Sequence, residues 1–535
     1  MKKIIYVLLF TPLIIPAQDW IWARTSAVNA GNQSADQITT DVTGNVYVLG
    51  NNHGGSDFST ATLDAGIFLL KYDVNGNLLW GKNLPYSPSR IDADPAGNLY
   101  LGGNYTLNLI TETDTFPSKG SHDIFLVKMD GNGVEQWARS YGNSESNLFF
   151  DLAADSKGNI AVGGGYQGDS IIFHNYSDTL SSLWYKYIVA RISTDGITKW
   201  VTTGPAQTDT LTYHFASLIE INSSDNIVVI GKGGNCVSGA YCGANFLAKI
   251  DTTGNQYFHK WGGSTYYGGI SEFKLDGSDN VYFISESRYT SNYSKTDENF
   301  NVLWTFPATQ TYGCYGYNEF AVDPSGNSVL GGFLYYKNSS SAGCSPVKGE
   351  VIVNGYTCKV NYSVPNSGDI VLTTLNSSGK VTALSHAGGN NTEGVRDICI
   401  GNGACYVSGV FNMGAYTSYY TDTLVLGTHT LQNNNQYNQA FVAKMGNYLF
   451  TGTSALVVEE SGTVIFPNPA ERSIKIQGLN SVSEVRILDM FGKTVLAVAP
   501  RQNEPEVDIS MLSGGVYIVE LRSADSIKHL KILKE

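Results

Sequence analysis

Apolar residues in this chain come in short alternating runs set between turns rich in Gly, Asn, Asp and Ser, a pattern that predicts half-buried β-strands rather than helices. The pattern repeats. Asp41 to Gly50 reads DVTGNVYVLG, Asp94 to Gly103 DPAGNLYLGG, Asp155 to Gly164 DSKGNIAVGG and Asp323 to Gly332 DPSGNSVLGG. Looser copies start at Asn222, Asp276 and Ile400, which makes seven. In the Asp-x-x-Gly-Asn part Asp caps backbone donors and Gly takes the positive φ of a hairpin turn, and an alternating strand follows each time. A second signature comes later in each unit, as in FLLKYDVNGNLLW from Phe68, FLVKMDGNGVEQW from Phe125 and IVARISTDGITKW from Ile188. This too reads as strand, turn, strand, so each unit supplies about four strands, and unit starts lie 47 to 77 residues apart.

Four-stranded units repeated around an axis build a β-propeller. The ends of the array support the same reading. The seventh unit has FVAKMGNYLF from Phe441 but lacks the following Trp-containing strand, whereas Trp20 to Thr25 (WIWART) matches Gln136 to Ser140 (QWARS), the last strand of the second unit. The expectation is an all-β chain: a seven-bladed β-propeller closed by its N-terminal strand, with eight or six blades as alternatives, and then a small β-sandwich. Closing the ring this way removes an open sheet edge. The Asp-x-x-Gly-Asn-x-Tyr and Lys-x-Asp-x-x-Gly-x-x-x-Trp patterns resemble the bacterial propeller repeats known as SBBP repeats, over about residues 20–450. That resemblance implies a fold common in large secreted proteins and leaves activity open, since propellers host binders, enzymes and scaffolds.

The text changes after Phe450 to a polar linker, 451–462, and a second module, 463–535. Its motifs occur in series: Phe466-Pro467-Asn468-Pro469-Ala470, then Asp489 to Gly492 with Lys493, then Leu512-Ser513-Gly514-Gly515-Val516-Tyr517, and a basic ending that includes Lys531 and Lys534. Alternation in SIKIQGL, EVRILDMFGKTVLAV and GGVYIVELRS predicts a small antiparallel sandwich. The series resembles the type A sorting domain of type IX secretion. This implies recognition by the type IX translocon at a Gram-negative outer membrane, and a secreted or surface-displayed cargo of Bacteroidota type. At the other end, Lys2 and Lys3 precede an apolar stretch from Ile4 to Ile15, too short to span a bilayer and followed by Ala17, which predicts a signal peptide over 1–17. The propeller region is then 18–450.

A formal net charge of -13 disfavours nucleic acid and anionic membranes, both of which select basic surfaces. No later segment reads as a membrane span. Export makes the seven Cys disulfide candidates, with Cys236–Cys242, Cys344–Cys358 and Cys399–Cys405 the local pairings and Cys314 left over.

Motifs for serine hydrolase, zinc protease, P-loop or dinucleotide chemistry are absent, so no catalytic, cofactor or metal residue is assigned. Asp73 to Asn77 has the alternating oxygens of a calcium loop without its terminal Glu, and reads as a turn. Ser193 to Trp200 is one residue out of register with the Asp-box of sialidase-type propellers. The recurrent Trp80, Trp137, Trp200 and Trp261 are read as packing residues at one position per blade. Asp-Thr-Leu at Asp178, Asp209 and Asp422 resembles a short O-glycosylation acceptor of Bacteroidota, and strand-end placement explains it as well. The candidate ligand face is aromatic: Tyr266, Tyr267, Tyr312, Tyr315, Tyr317, Tyr335, Tyr336, Tyr419 and Tyr420, in the less regular connections, where Tyr rings could stack on sugars or cover strand edges instead. The function expected is a binding module for a glycan, a surface polymer or a protein. The alternatives are an extracellular polysaccharide hydrolase or lyase, which needs paired carboxylates near a central channel, and a purely structural surface protein.

Overall fold

In the computed structural model each Asp-x-x-Gly-Asn segment is a tight hairpin turn, and the sequence dictates why. Asp41 accepts the backbone N–H groups of Thr43 and Asn45 on one carboxylate oxygen, both at 3.0 Å, and the Asn45 amide on the other at 2.8 Å. Gly44, at φ 83°, then returns the chain. The same arrangement recurs at Asp94, Asp155, Asp276 and Asp323. In the later copies that begin at Asn222 and Asp276, Asp225 and Asp279 take the positive φ instead of Gly. Asp73 to Asn77 is such a turn, with the Asp73 carboxylate occupied by Asn75 and Asn77.

The structure describes residues 20–446 and 464–534, apart from 29–30, 169–170, 174–175, 179–184, 204–211, 236–243, 262–268, 287–290, 309–314, 336–349, 354–355, 360–367, 390, 414–421, 434–436, 467–469, 471, 478–481, 489–493, 499–505 and 524–526. The predicted signal peptide lies outside them. The chain divides into two compact units, Met1–Leu449 and Phe450–Glu535. Among the described residues no helix is long and apolar enough to cross a membrane.

In the first unit the described strands form seven four-stranded antiparallel sheets. Sheets one to six each use four consecutive main strands, beginning respectively with Gln33–Thr40, Arg90–Ala93, Asn147–Ala154, Thr212–Ile221, Ile270–Leu275 and Tyr315–Val322. The seventh begins with Thr392–Gly401, continues through Ala404–Met413 and Gln439–Met445, and is completed by Trp20–Thr25. There Trp22 lies opposite Lys444 and Thr25 opposite Phe441. A small hairpin, Asp422–Leu426 with His429–Asn433, secures that strand: His429 Nε2 donates to the Trp20 carbonyl at 3.0 Å.

The core lies between sheets. Seven hydrophobic clusters fill the seams between consecutive sheets, including one shared by the seventh and first, where Trp22, Tyr406 and Val442 meet Val48, Phe68 and Tyr72. A common clasp crosses five of these seams. The outer-strand Trp donates its indole N–H to a carbonyl in the next sheet's turn: Trp22 to Val74 (3.1 Å), Trp80 to Gly131 (3.2 Å), Trp137 to Thr194 (3.0 Å), Trp200 to Thr252 (2.9 Å) and Trp304 to Ser377 (3.1 Å). Glycine is required under each ring; a Cβ on Gly76 would stand 2.6 Å from Trp22, and one on Gly379 2.7 Å from Trp304. Trp261 does not belong to this series. The residue opposite the third-strand Lys249 is Phe258, as Trp80 is opposite Lys71, and Trp261 pairs three positions further on with Phe246.

The Cys399–Cys405 pairing is not made: both are free thiols. Cys399 packs in the seam toward the first sheet and Cys405 in the seam toward the sixth, so the side chains leave opposite faces of the seventh sheet. Cys236, Cys242, Cys314 and Cys344 lie outside the described residues, as does the side chain of Cys358.

The second unit has a three-stranded sheet (Val464–Phe466, Ser473–Gln477, Glu506–Asp508) and a four-stranded one (Val482–Leu488, Thr494–Val498, Gly515–Ser523, Ile527–Lys534). Ile474, Ile476 and Val507 from the first share one core with Val485, Ile487, Val519, Leu521 and Ile532 from the second.

Candidate functional site

The first strand of each sheet meets the first strand of the next, and that of the seventh meets that of the first. Together these strands line a cavity of about 440 Å³, within the range of small-ligand sites. A register shift interrupts the first strand in six of the sheets, for example between Phe149 and Asp151, Ile270 and Glu272, Tyr317 and Glu319, and Val395 and Asp397. This β-bulge re-aims the strand. After it, alternate side chains face the cavity, while the residues between them, Ile91, Leu152, Ile219, Phe273 and Ile398, touch its wall and pack into the seams. Two positions per strand therefore furnish most of the wall. The first carries Gln37, Arg90, Asp151, Leu218, Glu272, Glu319 and Asp397, and the second Thr39, Asp92, Glu220, Lys274 and Cys399 among others.

Six of these are carboxylic acids, and the partners divide them. Asp397 accepts the Ile38 N–H at 2.8 Å, Asp92 that of Ala154 at 2.8 Å, and Asp151 that of Ile219 at 2.9 Å, each from the following sheet. Asp151 also pairs with Arg90 (3.2 Å), and Glu220 with Lys274 (2.9 Å). Glu272 and Glu319 are different: their carboxyl oxygens lie within 4.8 Å of each other, and Asn318 donates to Glu319 at 3.1 Å. Two buried carboxyl groups this close resist ionising together, which favours the protonated form of one of them. Burial pushes Glu272 up to about 7 and Asp397 up to about 6. Burial, then Glu272 and Asp397, holds Glu319 well above the carboxylate range. Burial also opposes the charge on Lys274, but Glu220, Glu272 and Asp151 outweigh it and raise the ammonium.

Oxygens of Glu272, Glu319 and Asp397, from sheets five, six and seven, all lie within 4.8 Å of one another. Among the described residues this is the group with the spacing to hold a cation. The trio also provides an acid beside a carboxylate, the elementary requirement for general acid–base work.

No channel residue was singled out in the sequence. The signal was nonetheless present: Asp151, Glu272 and Glu319 stand four positions, and Asp92 two, before the Asp of a repeated turn, and Glu220 stands two before Asn222. Of the expected aromatic face, Tyr317 is buried at 3% exposure between sheets five and six, its hydroxyl bonded to Thr373, because it faces the seam two positions before the bulged pairing resumes. Tyr315 and Tyr335 end strands of the sixth sheet with their side chains outside the described residues, as are Tyr266, Tyr267, Tyr312, Tyr336, Tyr419 and Tyr420. The Asp-box-like segment is structural: Ser193 Oγ holds the Ile197 carbonyl within its own turn.

Of the sorting motifs, Phe466 lies in a strand, Leu512 and Gly514 precede the strand that Gly515 opens, and Tyr517 is buried with its hydroxyl on the Ser513 carbonyl at 2.9 Å. Lys531 and Lys534 lie in the last strand, where Lys534 is opposite Gly515. Pro467, Asn468, Pro469, Asp489, Gly492 and Lys493 are outside the described residues.

Residues 464–535 match the secretion system C-terminal sorting domain. The chain is 26% identical over 159 residues to an uncharacterised WD repeat-containing protein of Acanthamoeba polyphaga mimivirus, covering 25% of this chain and only 11% of that protein. Similar solved structures include a puromycin hydrolase (TM-score 0.41, 9% identity, 86% of this chain and 62% of that one). A catalytically inactive virginiamycin B lyase from Staphylococcus aureus gives TM-score 0.36 at 8% identity, with 79% and 99% covered, and the Dos1 propeller 0.32 at 11%, with 83% and 92% covered. The fold is all-β and propeller-like, and the sorting domain marks the chain for export by type IX secretion to the cell surface or beyond it.

Proposed function

We propose that this is an exported surface module, a seven-bladed ring closed by its N-terminal strand after removal of a signal peptide, which binds a polar ligand in its central channel. The cavity of about 440 Å³, walled by the same two positions of seven strands, carries the reading. The repetition of the Trp clasp and the hydrophobic seam between the seventh and first sheets supports closure. An acceptor-rich wall of six carboxyl groups selects donors, so the ligand is rich in hydroxyl or amino groups, such as a glycan, another surface polymer or a protein side chain.

A second reading, extracellular hydrolysis or lysis of a polysaccharide, is favoured by one observation: the carboxyl oxygens of Glu272, Glu319 and Asp397 lie within 4.8 Å of one another, where burial raises Glu272 and Glu319 above the carboxylate range. One experiment separates the two. The full mature chain is incubated with a broad glycan panel, recording retention and released fragments together, alongside the double variant Glu272→Gln/Asp397→Asn. Retention lost in the variant supports the binding site; fragments that disappear in the variant make the channel an active site. Retention and release indifferent to the variant would remove the channel from both readings.

A further inference from the structure

Three aromatic rings stand together on the third and fourth sheets. Phe150 and Phe215 are 5.3 Å apart between centroids and nearly perpendicular, and Tyr185 lies 5.0 Å from Phe215. All three are half-buried rather than sealed in a seam. Their location follows from the bulge. Phe150 is the residue the bulge inserts into the third sheet's first strand, directly before channel-lining Asp151. The inserted residues of sheets five, six and seven, Ser271, Asn318 and Arg396, line the cavity, which puts Phe150 at the same level of its sheet. Phe215 lies two positions before the inserted Ser217 of the fourth sheet. Its ring rests on the backbone of the third sheet at Gly165, where a Cβ would stand 2.5 Å from it. The cluster is thus preformed rather than assembled by a ligand.

We infer that Phe150, Tyr185 and Phe215 form a stacking platform beside the channel for a sugar ring of a neutral or amine-bearing oligosaccharide, whose donors reach the channel carboxyls. This rests on the channel-binding reading above and names its ligand class. A pyranose ring offers an apolar C–H face to an aromatic face and hydroxyl donors at its edge, so one ligand satisfies both surfaces. The six carboxyl groups outnumber the lining cations Arg90, Lys274 and Arg396, an excess that disfavours uronate and sulfate polymers, increasingly so as Glu272 and Asp397 ionise with rising pH, and tolerates an amino sugar.

The test measures binding of cellohexaose, a chitosan hexamer and an alginate hexamer to the full mature chain by calorimetry. The variants are Phe150→Ala, Phe215→Ala, Phe150→Leu and Phe150→Tyr, each checked for a native unfolding transition. Expected is binding of cellohexaose or the chitosan hexamer, weakened about tenfold or more by each Ala variant and by Phe150→Leu, and restored by Phe150→Tyr. Phe150→Leu keeps apolar volume without a ring face, so it decides the matter if an Ala variant unfolds. Glu272→Gln separates the two levels of the argument. Binding weakened by Glu272→Gln but indifferent to the ring variants overturns the platform and leaves the channel. Alginate binding as tight as the others overturns the ligand class, as does the failure of all three hexamers when the broad panel still yields a channel-dependent ligand.

Discussion

Trp22 tests whether the N-terminal strand is an integral part of the ring. Its ring is 3% exposed and packs between Tyr72 and Tyr406, with centroids at 6.2 and 6.0 Å, over the bare backbone of Gly76. Burying a Trp removes roughly 150–250 Å² from water, and truncation to Ala in a packed core costs about 3–5 kcal/mol. The indole hydrogen bond to Val74 adds little, because Lys444 Nζ also donates to that carbonyl at 3.0 Å and keeps it satisfied. Trp22→Ala should therefore cost about 4 kcal/mol, close to the cost of Trp137→Ala, which removes the same clasp from the seam between sheets two and three. The assay is urea unfolding of the full mature chain followed by Trp fluorescence and far-UV circular dichroism, with coincidence of the two probes as the check on cooperativity. Trp137→Ala losing about 3 kcal/mol or more while Trp22→Ala loses less than about 1 kcal/mol would refute the reasoning: the strand would be an appendage.

Stability should fall as pH rises from about 4 to about 7, because Glu272 (about 7) and Asp397 (about 6) titrate above the ordinary values of 4.5 and 3.8 they have in the unfolded chain, so the native state holds more protons than the unfolded one in that window. Glu319→Gln should flatten the slope of Tm against pH, and an unchanged slope would show that Glu272 and Glu319 ionise independently of each other. Gly379→Ala should destabilise by more than about 1 kcal/mol, since φ is +78° and the new Cβ meets Trp304, whereas Gly55→Ala, with 3.5 Å of room at similar φ, should cost about 1 kcal/mol from backbone strain alone; denaturant midpoints compare them. Deleting residues 463–535 should leave the protein in the host periplasm, and surface protease accessibility identical to the full chain would contradict that. Non-reducing peptide mapping should find Cys399 and Cys405 as thiols and never joined to each other.

The strands and turns were legible because the repeated Asp, Gly and Asn act locally: capping and positive φ need only a few neighbouring residues. The Trp clasp was half legible. Recurrence marked Trp80, Trp137 and Trp200, but spacing alone misassigned Trp261, since only strand register shows Phe258 in its place. The channel was invisible for a different reason. Glu272, Glu319 and Asp397 are far apart in sequence and meet only when three sheets are set side by side. Acids near turns also looked already explained by capping, which is true of Asp276 but not of Glu272, four residues before it. Aromatic residues misled in the opposite direction: Tyr317, expected in an irregular connection, lies in the sixth sheet's first strand and faces the core, whereas Phe150 is set apart only by the bulge.

Pairing Trp20–Thr25 with Gln439–Met445 makes a strand synthesised before the six sheets that follow it one of the last to find its place. Until the segment around residue 440 emerges, the strand has no partner and Trp22 has no seam to enter. Closing so long a loop in an unstructured chain would cost about 5 kcal/mol in entropy. Sequential formation of the six intervening sheets shrinks that cost, because each ordered sheet shortens the flexible chain between the two strands. A chain interrupted during synthesis or transport would therefore present an unpaired seventh-sheet edge and a loose tryptophan strand. Pairing of Trp20–Thr25 with Gln439–Met445 thereby becomes a built-in sign that the whole array has arrived.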